Sequence, residues 1–340
     1  MVGSFLAPTF LGKGRISFEA HDYGDPGPGE LLIRVEANAI CGTDRAQFNE
    51  GSTVIPGHEA AGTVVAVGSD TSTKVGTRGA VFLMDFCGQC RSCRAGHTNQ
   101  CFAKRNDMGF TADGGYGPYE IVHESNFFPV PQSIGAAEAT LLLDVMGTSH
   151  HAIRRLLSVR EDVESLFIGG AGPIGLGVLA MAKVVLGRDV PVYVSDISEW
   201  RRNFAAELDG IPLNPLSIDG LSAAAGVDAA IDSTGKTAAR VDAFRLTGKR
   251  GVLVCVGHGE GFNADVSDDL IAPERSVLGS EYFRYDEMAD NLKLLESNLD
   301  WFSKIITHRV PVAEIDRAFE LFLGGETGKV VVTQSGEPNA

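Results

Sequence analysis

The segment FCGQCRSCRAGHTNQC, Phe86 to Cys101, holds four of the chain's six cysteines. Cys87, Cys90, Cys93 and Cys101 are spaced C-x2-C-x2-C-x7-C. Two thiolates two residues apart hold one metal ion through a tight turn, and a third and fourth complete a tetrahedron. Gly88 and Gly96 let the backbone fold around an ion, and Arg91, Arg94 and Lys104 offset the charge of four thiolates. Iron–sulfur sites use four cysteines at other spacings. Disulfides are disfavoured in a chain read as cytoplasmic, where thiols stay reduced. The segment is read as a structural zinc knuckle. Four protein ligands leave zinc no open position, so the chemistry is expected elsewhere.

Two other stretches carry suitable donors. CGTD supplies Cys41, Thr43 and Asp44 after the apolar run LLIRVEANAI. PGHEAAGTVVAVG supplies His58 and Glu59 before another strand-like run. A thiolate and a neutral imidazole suit a catalytic zinc, which takes three protein ligands and keeps one position open. Taken singly, Cys41 reads more readily as packing and His58 as a turn residue.

SLFIGGAGPIGLGVLAMAKVVLG is a short apolar strand, a glycine turn and an apolar helix. Gly170, Gly172 and Gly175 match G-x-G-x-x-G in that setting. The first glycine permits the tight turn, the second lets the backbone approach a pyrophosphate, and the third packs helix on strand. Pro173 and Ile174 open the helix whose N-terminal end holds the phosphates. VPVYVSDIS ends a second strand at Asp196, 21 residues past Gly175, where a carboxylate accepts from the adenosine ribose hydroxyls. Its charge repels a 2′-phosphate, so NAD is expected rather than NADP. Arg201 and Arg202 qualify this, either reaching a 2′-phosphate or lying on a solvated helix face.

CGTD, then GHE, then the four-cysteine spacing resembles the zinc-containing medium-chain dehydrogenases, which include alcohol, polyol and threonine dehydrogenases. The resemblance continues through DGGYGPYEIV (Asp113 to Val122), the glycine loop and the C-terminal ITHRVPVAEIDRAFELFLGGETGKVVV, and so covers nearly the whole chain. It implies a third catalytic-zinc ligand just before the cofactor domain, a cysteine in some branches and an acidic residue in others. Here TLLLDVMGTSHHAI offers only Asp144, which otherwise reads as a cap of the following turn. Cys41, His58 and Asp144 are thus the expected ligands, with Glu59 near the metal as a transient one. The implied reaction moves a hydride between an alcohol carbon and nicotinamide, with zinc as Lewis acid and the Thr43 hydroxyl taking the proton. Many members carry a histidine five residues after the cysteine. This chain has Ala46 there, so its relay ends differently. The resemblance also places Thr234, Gly257 and Thr148 near the nicotinamide half.

Positioning these groups needs two kinds of domain. The first ~145 residues are glycine-punctuated and strand-rich, and resemble the family's partly closed β-barrel, the GroES-like catalytic domain. Strands and helix-length segments then alternate, the signature of a doubly wound parallel α/β sheet, the Rossmann domain. The expected division is 1–147 with 282–340 for the catalytic zinc domain and 148–281 for dinucleotide binding, the cleft lying between them. DEMADNLKLLESNL and VAEIDRAFELFLGG read as amphipathic helices returning to the first domain. A net charge of −15 argues against nucleic-acid and anionic-membrane partners, and no apolar run is long enough to span a bilayer. Relatives imply a homodimer or homotetramer, with RSVLGSEYF as an edge strand. The expected substrate is a secondary alcohol or polyol, with only sixteen residues between Cys41 and His58 leaving room for a sugar or cyclitol. The alternatives are a ketone reductase using NADPH and a non-catalytic nucleotide-binding relative. Gln47, Asp85, Tyr116 and His123 read equally as polar substrate contacts or as packing.

Overall fold

The computed structural model describes residues 3–217 and 226–334. The chain divides into two compact units. The first comprises Met1–Asp144, Arg284–Gly324 and Lys329–Ala340; the second comprises Val145–Phe283 and Gly325–Gly328.

In the first unit, strands Gly3–Gly12 and Arg15–Tyr23 form an antiparallel hairpin. A seven-stranded sheet runs in the order Ile306–Pro311, Lys329–Thr333, Glu30–Ala39, Ala60–Val67, Arg78–Val81, Phe127–Pro129, with Tyr119–His123 also paired to Glu30–Ala39. Glu30–Ala39 therefore has three partners: Ala60–Val67 along most of its length, Tyr119–His123 at its start and Lys329–Thr333 at its end. Two register shifts against Ala60–Val67 add bend and twist there. This is the partly closed barrel expected. Leu31, Ile33, Val35, Val64, Val81, Val122 and Phe127 fill one core. A second core joins Phe10, Ile40, Ile55 and Tyr116 to Phe319 of helix Ile315–Gly324.

The second unit holds a six-stranded sheet ordered Ile211–Leu213, Val192–Ser195, Leu166–Gly169, Val227–Asp232, Thr247–Cys255, Ser276–Gly279, with every pairing parallel. Numbered along the unit this is 3-2-1-4-5-6, the Rossmann order, in which ligands bind where the order reverses. The reversal lies between Leu166–Gly169 and Val227–Asp232, the strands that lead into Gly170 and Thr234. No helix among the described residues is long and apolar enough to cross a membrane.

Candidate functional site

Cys41 follows the buried end of Glu30–Ala39, where the Ile40 N–H donates to the Val330 carbonyl at 2.9 Å. The chain then turns into helix Asp44–Glu50. The first residue of that helix, fully buried Asp44, accepts the Cys41 N–H on Oδ2 at 3.0 Å. His58 and Glu59 precede strand Ala60–Val67. Their approach depends on Gly57, whose φ is +99°; a Cβ there would lie 2.8 Å from Asn38 Nδ2 and 2.9 Å from the Tyr116 nitrogen. Asn38 Oδ1 accepts the Glu59 N–H at 3.1 Å. Asp144 opens a π-helical turn, Asp144–Thr148, ahead of helix Ser149–Leu157. Such turns re-aim side chains and recur at functional sites.

These elements bring Cys41, His58, Glu59 and Asp144 together, all buried, each offering a ligand atom within 4.8 Å of the others. The Cys41 thiol donates to Asp144 Oδ2 at 3.0 Å, and His58 Nε2 lies 3.7 Å from the same oxygen. On its other side, His58 Nδ1 lies 3.2 Å from Asp44 Oδ1. The Phe110 ring packs on His58 at 5.0 Å between centroids.

Burial, followed by the charge of Asp144, pushes the Cys41 thiol up. Burial pulls His58 down, but Asp44 and Cys41 outweigh it and hold the imidazole well above its usual range. Burial raises Glu59 to about 8 against the pull of Lys329. Burial also acts to raise Asp144, but His58 and Lys329 outweigh it and hold it at about 2. Glu59 Oε2 is buried with no hydrogen-bond partner. A buried pocket in which Cys41, His58 and Glu59 keep their protons beside an ionised Asp144 fits a divalent cation, and this set of sulfur, nitrogen and oxygen donors fits zinc.

Lys329 escaped the sequence reading. It is buried at the start of strand Lys329–Thr333, with its Nζ paired to Glu59 Oε1. A lysine heading a run of valines was the available signal, since a buried ammonium needs a carboxylate. Thr43 and Ala46 are exposed. Four polar groups named as substrate contacts or packing are engaged internally. Gln47 donates to the Gly109 carbonyl at 2.8 Å, Asp85 accepts from Arg105, Tyr116 donates to Asp44, and His123 meets Ser125 Oγ at 2.8 Å.

In the knuckle, Cys87, Cys90, Cys93 and Cys101 converge within 4.8 Å, and all are free thiols. Backbone N–H groups point at the sulfurs: Cys90 to Cys87 at 3.3 Å, Cys93 and Phe102 to Cys90 at 3.4 and 3.5 Å, Ala103 to Cys101 at 3.4 Å. The N–H groups of Cys93 and Phe102 draw Cys90 down to about 6. Burial and the neighbouring sulfurs of Cys90 and Cys101 push Cys93 up to about 12. Four such sulfurs ionise together only around a cation, so this set also fits zinc.

In the second unit, Gly170 has φ +92°, Gly172 caps helix Pro173–Val185, and a Cβ on Gly175 would sit 1.9 Å from the Gly170 carbonyl oxygen. Asp196 takes the Ala171 N–H on Oδ2 and the Ser198 N–H on Oδ1, both at 2.8 Å. It thereby ties the glycine loop to the end of the second strand. Arg202 donates to the Asp196 and Ile197 carbonyls, and Arg201 Nη1 lies 3.8 Å from the Cβ position of Gly172. Asp232, buried against Arg240, accepts the Thr234 N–H and hydroxyl at 2.9 and 2.6 Å. Arg240 also donates to the Gly257 carbonyl, so one buried pair shapes both loops. Thr148 is buried at the end of the π turn.

Residues 27–132 match the alcohol dehydrogenase GroES-like domain, and residues 173–297 match the zinc-binding dehydrogenase domain. L-threonine 3-dehydrogenase of Francisella tularensis subsp. mediasiatica is 30% identical over 339 residues, covering 91% of this chain and 93% of that protein. The chain belongs to the zinc-containing medium-chain dehydrogenase family. Two solved structures are each 26% identical. Acetophenone reductase from Geotrichum candidum, in complex with NAD, has a TM-score of 0.84 and covers 97% of each chain. A zinc-binding dehydrogenase from Sinorhizobium meliloti, bound to NADP, has a TM-score of 0.82 and covers 97% of this chain and 99% of that one. A member of this family is an oxidoreductase of carbon–hydroxyl groups that uses zinc and a nicotinamide cofactor.

Proposed function

We propose that the protein is an NAD-linked dehydrogenase of secondary alcohols or polyols with two zinc ions per chain, one catalytic and one structural. The observation that carries this is the buried cluster of Cys41, His58, Glu59 and Asp144. Cys41, His58 and Asp144 hold the catalytic ion, and Cys87, Cys90, Cys93 and Cys101 hold the structural one. Bound zinc supplies Lewis acidity, which makes a hydroxyl in the site a stronger acid. Asp44 orients the His58 ring. Lys329 holds Glu59 beside the ligands. The exposed hydroxyl of Thr43 receives the substrate proton and passes it outward. Gly170, Gly172 and Gly175 admit the pyrophosphate, and Asp196 faces the adenosine ribose. Thr148, Thr234 and Gly257 contact the nicotinamide half.

The second reading is a ketone reductase using NADPH, favoured by Arg201, whose guanidinium lies at the glycine loop. The test follows nicotinamide absorbance with NAD and NADP against polyols, cyclitols, amino alcohols and simple alcohols, and with NADH and NADPH against the corresponding ketones. NAD-dependent oxidation of a polyol or secondary alcohol is expected. Ketone reduction confined to NADPH would favour the second reading, and no turnover with metal and cofactor both bound would overturn the two together.

We also infer a homodimer or homotetramer joined through Ser276–Gly279. This strand ends the six-stranded order, and its Val277 is exposed. Val277→Asp is expected to lower the sedimentation mass.

A further inference from the structure

We infer that the Tyr116 hydroxyl is a positioning group for the Cys41–His58 metal centre, acting through Asp44. The inference rests on the reading of that cluster as a metal site. Tyr116 is fully buried, and its hydroxyl donates to Asp44 Oδ2 at 2.7 Å. The same oxygen accepts the Cys41 N–H at 3.0 Å. The other oxygen, Oδ1, lies 3.2 Å from His58 Nδ1. Two donors on one oxygen stop the carboxylate from rotating and leave the second oxygen on the imidazole. Asp44 Oδ1 and His58 Nδ1 are both buried and have no hydrogen-bond partner elsewhere, so a carboxylate at this distance favours the proton on Nδ1 and presents Nε2, the nitrogen on the Asp144 side, as the ligand.

The ring of Tyr116 has a separate task. It stacks on Phe10 at 5.8 Å and meets Phe319 at 5.9 Å within an apolar cluster. Phenylalanine would fill that space equally well. A hydroxyl buried there costs free energy unless it is bonded, and its hydrogen-bond partner is Asp44. The loop that carries Tyr116 also braces the second ligand-bearing segment. Its Gly114, Gly115 and Tyr116 N–H groups donate to the carbonyls of Ile55, Gly57 and Pro56 at 2.7, 2.8 and 3.1 Å. One loop therefore holds the His58 segment by its backbone and the Cys41 turn by a side chain.

The experiment compares Tyr116→Phe with the parent in metal release to a chelator and in the ligand-field spectrum after cobalt substitution. The expected result is catalytic-site metal bound about 10- to 100-fold more weakly, the range for lost outer partners of metal ligands, with a changed cobalt spectrum and the knuckle metal retained. Adding Asp44→Asn should cause no further loss beyond Asp44→Asn alone, because the hydroxyl acts through that carboxylate. Phe319→Leu, which disturbs the same core without removing the hydroxyl, should lower thermal stability and leave metal affinity unchanged. Parental affinity and spectrum in Tyr116→Phe, or losses that add to those of Asp44→Asn, would overturn the inference. A parent that binds metal only at the knuckle, with Cys41→Ser changing nothing, would overturn the metal-site reading and the inference with it.

Discussion

Lys329 and Glu59 face each other at 1% and 0% side-chain exposure, 270 residues apart in sequence. Removing one partner of a buried pair leaves an uncompensated charge and typically costs about 3–5 kcal/mol. Lys329→Met is therefore expected to lower stability by that order in urea unfolding, and Lys329→Met with Glu59→Leu to recover much of it. Full stability in the single variant would refute the pairing. Glu120 is a different case. It is buried on strand Tyr119–His123, and neither carboxyl oxygen has a hydrogen-bond partner. Burial, then the charge of Asp113, holds its carboxyl well above the usual range. The neutral form belongs to the fold, whereas the unfolded chain ionises near ~4.3. Its stabilising contribution is thus complete below that pH and is lost as pH rises through the folded value. Glu120→Leu should make the melting temperature less sensitive to pH above the range in which an unfolded carboxyl ionises, with the gain largest on the alkaline side. An unchanged pH slope would refute this. Cys41 and His58 were visible as candidates because their residue types carry metal chemistry, and Asp144 because the family resemblance implies a third ligand in its segment. Lys329 and Glu120 were not, because a charge inside a strand pattern acquires its meaning from neighbours brought in by folding.

At the scale of elements, the glycine loop is a local device and was legible as one. Strand Leu166–Gly169, the turn and helix Pro173–Val185 are contiguous, and the spacing of Gly170, Gly172 and Gly175 states what each position must admit. The helix approaches so closely that Gly175→Ala would place a methyl 1.9 Å from the Gly170 carbonyl oxygen, inside any tolerable contact. The backbone must move, and with it the N–H groups proposed to receive the phosphates. NADH affinity should fall at least about tenfold, the equivalent of roughly 1.4 kcal/mol, with both metal equivalents retained. Fluorescence titration beside metal analysis checks both halves, and undiminished NADH affinity would remove the loop from the cofactor site. The knuckle was equally legible, since its donors span fifteen residues, Cys87 to Cys101. The branching of Glu30–Ala39 among three partners and the π turn at Asp144 were not. Both depend on which distant segment supplies the next hydrogen bond, and no local period records that choice.

At the scale of the whole molecule, the chain assembles two units with separate candidate ligand sets. Cys41, His58, Glu59, Asp144 and the four knuckle cysteines all fall in the first unit, and the glycine loop, Asp196 and Thr234 fall in the second. The alternation of strands and helices made the second unit legible as a block. Its edges at Val145 and Phe283, and the inclusion of Gly325–Gly328, carry no composition change that could mark them. Separate ligand sets have a thermodynamic consequence. A ligand that binds only a folded unit stabilises it by RT ln(1 + [L]/Kd), about 2.7 kcal/mol at a hundredfold excess over Kd. Zinc should therefore raise the unfolding temperature of the first unit and NADH that of the second, and the two shifts should be distinguishable by calorimetry. Chelation should abolish the first shift and leave NADH still able to stabilise the metal-stripped protein. Equal dependence of every transition on zinc, with no NADH effect after stripping, would mean that the cofactor unit cannot fold or bind without the metal-bearing one, and the two ligand sets would then belong to one cooperative structure.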